Sequence, residues 1–312
     1  MGVTLLVASA GGHLAEMYRL RSRLPDAGEV AWITTEHSHS RSLLAGENVL
    51  FLPHSPSRSL RAALRNLRLT RALLRTLRPT RVVSNGASIA VPILMQCAWR
   101  GIPTHYIESA ARVLGPSMTG KILCRVPRVR TYTQWPGWAK GRWRHAGSVF
   151  DGWESVPVPQ PPPIRRVVVT VGTESWSFRA LFENVQRCLP AGVEVLWQCG
   201  STPVADLGLA GVHSLPAQEL ERAIAACDVV IAHAGVGSAL AAIDQGKTPV
   251  LLPRRAARQE AVDDHQAQIG GELSARNLAV FCEVGQLDIS HLHCAAGATV
   301  RRRACVPPLQ LA

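Results

Sequence analysis

The first residue that is placed to do acid–base chemistry is a histidine in a glycine turn. His13 directly follows Gly11 and Gly12, and these two glycines come immediately after the apolar run 3–10. Glycines let a backbone turn tightly and approach a ligand, and a helix behind them offers free N–H groups to an anion. Because histidine side chains titrate near neutral pH, we expect His13 to act as a general base. The alternative is that His13 only hydrogen-bonds its own loop or donates to a substrate phosphate.

A second glycine turn follows the β-branched run 80–85. Asn85 and Gly86 separate this run from a helical pattern, as Gly11 and Gly12 do after the first run. We therefore expect all four residues to line the same binding site. Capping of the following helix by Asn85 or Ser88 is the alternative explanation.

A carboxylate ends the apolar run 104–109. Glu108 stands there, and Arg112 follows it by four residues. The carboxylate is either an acid or base in a reaction or one half of a salt bridge with Arg112, and Arg112 is otherwise a candidate for binding an anionic substrate. As a base, Glu108 would need its pKa raised by burial, which a nearby Arg112 would oppose. Glu108 is therefore the second candidate for the base.

The most specific motif of the second half is IAHAGVGSAL, at 231–240. His233 ends an apolar run, and Gly235-Val236-Gly237-Ser238 opens a helix whose N-terminal amides can offset negative charge. The turn lacks the lysine and the full spacing of a P-loop, and Gly-x-Gly alone is weak evidence. The turn at 235–238 is nevertheless a candidate for binding a phosphate group. Gly172 and Thr173, after the run 165–171, can also hydrogen-bond a phosphate.

A basic loop and an acidic helix start follow that motif. Arg254 lies in the basic loop, and Asp263-Asp264-His265-Gln266 begins the next helical pattern. Asp264 and Gln266 carry the acceptors and donors that read sugar hydroxyls. Capping of the helix by Asp263 or Asp264 is the alternative for one of the two.

These turns must be held by two α/β domains. Short apolar runs alternate with helical patterns on both sides of a proline-rich stretch, which predicts doubly wound parallel sheets of the Rossmann-like kind. We expect a first domain at 1–152, a linker at 153–164 and a second domain at 165–312, with the two domains facing a cleft. The predicted strands are 3–9, 29–34, 48–52, 80–85, 104–109, 165–171, 193–199, 228–234, 248–253 and, more weakly, 278–283.

Charge distinguishes the two halves. Residues 1–150 carry 21 Lys and Arg against 6 Asp and Glu, whereas residues 151–312 carry 13 against 16. The excess of positive charge in the first half points to an anionic partner. The arginines at 58, 61, 65, 68, 71, 75 and 78 recur every three or four residues, which predicts a basic helix face for an anionic membrane surface. A solvated helix face is the alternative. No apolar run approaches the ~20 residues of a membrane span.

Together the motifs resemble a known family. AGGHLAEM, VVSNGASIAVP, YIESAARV and SMTGKIL resemble the acceptor-side subunit of the polyprenyl- and dolichol-diphosphate N-acetylglucosaminyltransferases and of bacterial exopolysaccharide transferase pairs. VTVGTESWSFRAL, ERAIAACDVVIAHAGVGSALAAIDQGKTPVLLPRR and DDHQ resemble the catalytic subunit and, more distantly, MurG of glycosyltransferase family 28. The resemblance covers roughly residues 3–277, in the order of a fusion.

The resemblance implies a GT-B architecture, inversion at the anomeric carbon, a UDP-sugar donor and no metal or other cofactor. It places the uracil near Leu215-Pro216-Ala217, the diphosphate against Gly172, Thr173 and 235–238, and the sugar near Asp263, Asp264 and Gln266. Two features of the second half depart from the family. Ala241 stands where many relatives have a ribose-binding glutamate, with Asp244 one helical turn on. The segment after Cys282, with Arg301-Arg302-Arg303, lacks the pattern of the long crossing helix that the family predicts.

The resemblance therefore predicts an inverting transferase that moves GlcNAc or a related hexose or uronic acid from a UDP-sugar to a hydroxyl of an acceptor. The expected acceptor is a polyprenyl-diphosphate-linked saccharide at the inner face of the plasma membrane, and nucleic acid is not an expected partner. The residues expected to bind the acceptor are Gly11, Gly12, Asn85, Gly86 and Arg112. One alternative is a nucleotide-sugar epimerase of the same fold, although such an enzyme would not need the basic first half. The other is a non-catalytic polyanion-binding protein, in which Ala241 marks a lost donor site.

Overall fold

The computed structural model describes residues 2–53, 60–87, 89–172 and 176–311 and contains two compact units. The first unit comprises residues 1–149 together with 306–312, and the second comprises 150–305. The division thus falls a few residues before the expected boundary at 152, and the end of the chain returns to the first unit.

The described part of the first unit is built on a parallel sheet. Its strands are β1 (Val3–Ala8), β2 (Glu29–Thr35), β3 (Asn48–Leu52), β4 (Arg81–Gly86), β5 (Thr104–Ile107), β6 (Val129–Thr133) and β7 (Trp143–His145), in the order β3-β2-β1-β4-β5-β6-β7. Its helices are α1 (Gly12–Leu20), α2 (Ser38–Leu43), α3 (Leu60–Leu77), α4 (Ala90–Trp99) and α5 (Met118–Leu123). Every neighbouring pair of strands is parallel.

The central strands of this sheet are apolar because helices cover them. Leu5, Val7 and Val82 are fully buried and pack in one cluster with Ile93 and Leu94 of α4. Continuous apolar runs of this kind are what a parallel sheet between helical layers requires. The predicted strands of this half are confirmed, each to within two residues at either end.

The second unit has its own parallel sheet and a small antiparallel ribbon. Its strands are β8 (Trp153–Pro157), β9 (Arg166–Thr170), β10 (Glu194–Gln198), β11 (Gly211–Val212), β12 (Val229–His233), β13 (Val250–Leu252), β14 (Val280–Phe281) and β15 (Ala298–Arg302). The parallel order among the described strands is β11-β10-β9-β12-β13-β14. Its helices are α6 (Arg179–Cys188), α7 (Ala217–Ala226), α8 (Val236–Asp244), α9 (His265–Ala275) and α10 (Ile289–Ala296).

The stretch expected to be a linker is partly a strand. β8 pairs antiparallel with β15, so 153–157 belongs to a two-stranded ribbon and not to a free connection. Proline is tolerated in such a position because Pro157 is the last residue of β8, and a strand of a two-stranded ribbon always has an open edge. The other four prolines of the stretch lie beyond the strand.

The segment after β15 is extended and packs on the first unit. Leu309 is 2% exposed, and its N–H donates to the carbonyl oxygen of Arg23 at 2.8 Å. Arg23 in turn donates from Nε to the carbonyl oxygen of Pro307 at 3.0 Å. This extended segment stands where the family resemblance predicts a long crossing helix.

Strand order brings the predicted turns together in pairs. The order reverses between β1 and β4 in the first unit and between β9 and β12 in the second. In open parallel sheets, ligands bind beyond the carboxyl ends of the strands at such switch points. In the first unit, Gly11 lies in the turn after β1 and Gly86 is the last residue of β4. In the second unit, Gly172 lies just after β9 and His233 is the last residue of β12.

Candidate functional site

In the second unit, Gly172, Gly235 and Ser238 form a cluster around the ring of His233. His233 is the last residue of β12, it is 7% exposed, and its Nδ1 lies 3.2 Å from Oγ of Ser238. A Cβ atom placed on Gly172 would lie 2.7 Å from Cε1 of the ring, and one placed on Gly235 would lie 2.3 Å from Nε2. Since real Cβ contacts are longer, only glycine fits at these two positions while the ring keeps its place.

The imidazole of His233 is neutral throughout the physiological pH range. Burial lowers the pKa of His233 to about 3, and the positive charge of Arg254 adds to that shift. A hydrogen bond with the backbone of Thr170 opposes it only in part. His233 therefore contributes hydrogen bonding and shape to the cluster, and Arg254 contributes the charge.

Arg254 is buried beneath the turn that follows β9. It is 1% exposed, its Nη2 donates to the carbonyl oxygen of Val171 at 3.2 Å, and its guanidinium carbon lies 5.4 Å from the centre of the Phe178 ring. Its backbone N–H donates to Oε1 of Gln266 at 3.0 Å. The residue thus links the loop after β13 to the loop after β9 and to α9, and its charge acts from below the surface.

The start of α8 offers amides to an anion. Gly235 is the N-cap residue and provides no side-chain cap, while its carbonyl oxygen accepts from the N–H of Ala239 at 3.0 Å. The first N–H groups of a helix have no acceptor within the helix, and its N-terminus carries partial positive charge. The amides of Val236, Gly237 and Ser238 therefore provide partial positive charge beside His233, and the buried Arg254 adds a full positive charge there.

The residues predicted to hold the sugar lie at the start of α9. Oε1 of Gln266 accepts from the N–H of Arg254, and the residue is 6% exposed. Oδ1 of Asp264 accepts from the N–H of Ala256 at 2.9 Å. Oδ1 of Asp263 accepts from the N–H of His265 at 3.3 Å, which agrees with a helix-start role for that residue.

Three further predicted positions and one alternative contact belong to the second unit. Leu215 and Ala217 are half-buried around the first residue of α7. Thr173 lies outside the described residues. Asp244, the alternative ribose contact to the missing glutamate at Ala241, is in an ion pair with Arg302 of β15, at 3.2 Å between Oδ1 and Nη2. That pair ties the end of α8 to the ribbon.

In the first unit, the structure brings His13, Asn85 and Gly86 together. Nδ2 of Asn85 donates to the carbonyl oxygen of His13 at 2.7 Å, and Asn85 is fully buried. A Cβ atom on Gly86 would lie 3.1 Å from Cε1 of the His13 ring. Gly11 and Gly86 have φ values of +89° and +112°, which favour glycine. Gly12 is the first residue of α1 and is exposed.

Glu108 points into the interior. It is 1% exposed and accepts from Tyr106 Oη at 3.0 Å, from Ser117 Oγ at 3.0 Å and from the N–H of Ser117 at 2.9 Å. Burial raises the pKa of Glu108, and these hydrogen bonds oppose the shift. The expected obstacle to Glu108 as a base, an ordinary pKa, is therefore absent, but its oxygens are already engaged. Arg112 is half-buried, and its carbonyl oxygen accepts from Nε1 of Trp138 at 3.1 Å.

Sequence reasoning missed Glu16. This residue of α1 is fully buried and accepts from Oγ of Ser109 at 2.8 Å, from the N–H of Ala110 at 3.0 Å and from Nε2 of Gln134. Burial raises the pKa of Glu16 to about 7, against these hydrogen bonds. The available signal was a glutamate three residues after His13, inside an otherwise apolar helix face.

The arginine face of α3 is exposed as far as its side chains are described. Arg68, Arg71, Arg75 and Arg78 are all exposed, whereas Leu74 is 4% exposed and faces the core. The predicted arginines 58, 61 and 65 lie outside the residues whose side chains are described. In the described ranges, no helix is both long and apolar enough to cross a bilayer.

The described residues thus form two Rossmann-like units, each with its predicted turns at a switch point of the sheet. Residues 166–296 match the model of the glycosyltransferase family 28 C-terminal domain. A comparison with curated proteins found no match.

Comparison with solved structures gives the same fold over nearly the whole chain. MurG of Acinetobacter baumannii is similar with a TM-score of 0.62 at 16% identity, covering 95% of this chain and 93% of that one. The glycosyltransferase SnogD of Streptomyces nogalater is similar at 0.55 and 18%, covering 95% and 90%. The spinosyn rhamnosyltransferase SpnG, in complex with thymidine diphosphate, is similar at 0.54 and 15%, covering 90% and 86%. The chain thus has the GT-B fold of these structures, and its residues 166–296 are similar to the C-terminal domain of glycosyltransferase family 28.

Proposed function

We propose that the chain transfers a sugar from a UDP-sugar to a hydroxyl group of a polyprenyl-diphosphate-linked saccharide, with inversion at the anomeric carbon. The observation that carries the proposal is the cluster around His233, where glycine turns, the uncapped start of α8 and buried Arg254 meet at the carboxyl ends of β9 and β12. That arrangement suits a diphosphate, and SpnG is a neighbour with a nucleoside diphosphate bound.

The donor would lie wholly on the second unit. The diphosphate would accept hydrogen bonds from the amides of 236–238, the sugar would contact Gln266 and Asp264, and the uracil would lie near 215–217. The oxygen of Gln266 already accepts one hydrogen bond, from the N–H of Arg254, and its amide N–H groups can donate to an oxygen of the sugar. This favours a sugar that presents an oxygen at that point, such as a hydroxyl or the carbonyl of an N-acetyl group, and GlcNAc is the donor sugar that we propose first.

In the transfer step, the acceptor hydroxyl oxygen bonds to the anomeric carbon as the bond from that carbon to the UDP oxygen breaks. His13 takes the hydroxyl proton, and UDP leaves with the electron pair of the broken bond. The amides at the start of α8 and the charge of Arg254 stabilise the added charge on the diphosphate, as fixed donors do in oxyanion sites. The step as proposed needs no metal ion.

The acceptor would approach the first unit. The positive excess of residues 1–150 and the exposed arginines of α3 suit a diphosphate-linked lipid in an anionic membrane. We therefore propose that the protein is peripheral at the inner face of the plasma membrane. Sedimentation with vesicles that contain anionic lipid should show binding that weakens sharply as salt rises. Binding that salt does not change, or no binding at low salt, would contradict this.

A transfer assay tests the proposed function. The protein is incubated with UDP-sugars labelled in the sugar, first UDP-GlcNAc, with and without a polyprenyl-diphosphate-linked monosaccharide. We expect label in the lipid fraction only when the acceptor is present. Isomerised or hydrolysed donor without lipid product would favour an epimerase, and absence of both UDP binding and turnover would favour a polyanion-binding protein.

A further inference from the structure

Glu16 joins helix α1 to the loop that follows β5. Its two carboxylate oxygens accept from Oγ and N–H groups of the loop residues Ser109 and Ala110, at 2.8 and 3.0 Å. They also accept from Nε2 of Gln134, whose Oε1 accepts from the N–H of Val149 at 2.7 Å. All these groups are in the first unit. A buried carboxylate with three donors fixes both the helix and the loop in one arrangement.

The same loop is held from its other side by two tryptophans. Nε1 of Trp135 donates to the carbonyl oxygen of Ala110 at 2.8 Å, and Nε1 of Trp138 donates to that of Arg112 at 3.1 Å. The N–H of Arg112 donates to the carbonyl oxygen of Ser109 at 2.9 Å, which closes the turn. Residues 109–112 thus form a short turn with Glu16 on its amide side and the two indoles on its carbonyl side.

Helix α1 also carries the proposed base. His13 lies three residues before Glu16, about one helical turn away, so the two side chains share one region of the helix. Glu16 therefore joins the turn that contains Arg112 to the helix that contains His13.

We propose that Glu16 is a positioning residue. It fixes the position of the turn 109–112, which contains Arg112, relative to His13, so that an acceptor bound at the turn places its hydroxyl group beside the base. The inference rests on the proposed function, in which the acceptor binds the first unit. Glu16 does not touch substrate, since it is fully buried. Its effect should therefore fall on the acceptor and not on the donor.

The charges around Glu16 support a function beyond folding. A leucine or methionine would fill this helix position without the free-energy cost of a desolvated carboxylate. Burial and the negative charge of Glu108 both raise the pKa of Glu16, to about 7, against the hydrogen bonds from the turn and Gln134. The carboxylate is thus retained at a cost, and what it contributes is the fixed position of the turn.

The kinetic test compares Glu16→Gln with Glu36→Gln, a matched change at an exposed carboxylate of the same unit that pairs with Arg41. The amide of Glu16→Gln keeps the size of the side chain but can accept at only one oxygen. At pH 8 or above, where Glu16 with its pKa of about 7 is ionised, we expect the KM for the lipid-linked acceptor to rise about tenfold or more in Glu16→Gln, which loses one hydrogen bond to a charged group. The KM for UDP-sugar should stay within about twofold of wild type. Glu36→Gln should change neither. An unchanged acceptor KM in folded Glu16→Gln would overturn the proposal.

A second readout separates this proposal from the proposed function. The indole N–H resonances of Trp135 and Trp138 report the carbonyl side of the turn and need no substrate. We expect both to shift in Glu16→Gln and neither in Glu36→Gln. If wild type transfers no sugar to lipid, the proposed function fails, and the resonances alone decide whether Glu16 positions the turn. Unshifted resonances would overturn the positioning role. If Glu16→Gln does not fold, Ser109→Ala, which removes one donor, should give the same shifts at smaller size, and their absence would equally overturn it.

Discussion

The hydroxyl oxygen of Ser238 lies 3.2 Å from Nδ1 of His233, so the first turn of α8 is tied to the last residue of the strand before it. The neutral imidazole is held there by burial and by the charge of Arg254. The position of the first turn of α8 therefore depends on an uncharged histidine. For this reason we expect the stability of the second unit to depend on pH.

The stability of the second unit should fall in acid because of His233. Its pKa is about 3 in the folded protein and near its ordinary 6.5 when unfolded. The unfolded state therefore binds an additional proton between these values, and the stability present above pH 6.5 is lost as pH falls. Between pH 6.5 and 5 the loss is about 2 kcal/mol. Urea unfolding of wild type and His233→Asn at both pH values measures it. An equal pH dependence of the two proteins, with exposed His145→Asn as the control, would contradict this.

Gly86→Ala should lower sugar transfer by displacing His13. The new Cβ atom would lie 3.1 Å from Cε1 of the ring, so the imidazole must shift. Misplacing a catalytic group by up to about 1 Å costs as much as 10²-fold in rate, and we expect at least about a tenfold fall in kcat. UDP affinity should not change, because the proposed donor site is on the second unit.

Gly46→Ala is the matched control for that variant. Gly46 also has a positive φ, +83°, but a Cβ atom there meets no atom within 4 Å. Both variants carry backbone strain, and only Gly86→Ala touches the histidine. If kcat falls equally in the two variants, backbone strain alone accounts for the loss of activity. If neither variant loses activity, the displacement of His13 is contradicted.

His13→Ala should lower kcat by about 10²–10⁴-fold, the usual contribution of a positioned base. UDP affinity, measured by calorimetry, should remain close to that of wild type. His13→Gln keeps a hydrogen-bond donor but is a very poor base, so it should be nearly as inactive as His13→Ala. Near wild-type activity of His13→Gln together with an inactive but folded Glu108→Gln would assign the base to Glu108.

Much of the fold could be predicted because central parallel strands are long and apolar. β1, β4, β9 and β12 all lie in runs that the sequence marks. Strands β6, β7 and β11 were not predicted. β7 has two exposed residues out of three and β11 is only two residues long, so neither forms an apolar run. The ribbon of β8 and β15 was missed because proline at 157 and arginines at 301–302 do not indicate a strand, although an edge position tolerates both.

The site was predictable as far as it depends on turns. Glycines and histidines beside predicted strand ends mark both switch points. What Glu16 does depends on Ser109 and Gln134, which are 93 and 118 residues away in sequence. Likewise, the burial of Arg254 depends on Val171 and Phe178 from another loop. Such partners are set by tertiary packing, and neither periodicity nor a local motif indicates them.

The most direct measurement of the central claim is UDP binding to Gly237→Leu. Gly237 lies in the first turn of α8, where a large side chain would enter the space proposed for the diphosphate. Gly271→Leu is the control, since Gly271 lies in helix α9 and a Cβ atom there meets no atom within 4 Å. By calorimetry we expect the Kd for UDP to rise at least about tenfold in Gly237→Leu, or ~1.4 kcal/mol, and to stay near wild type in Gly271→Leu. Wild-type UDP affinity in folded Gly237→Leu would contradict the placement of the donor at the start of α8.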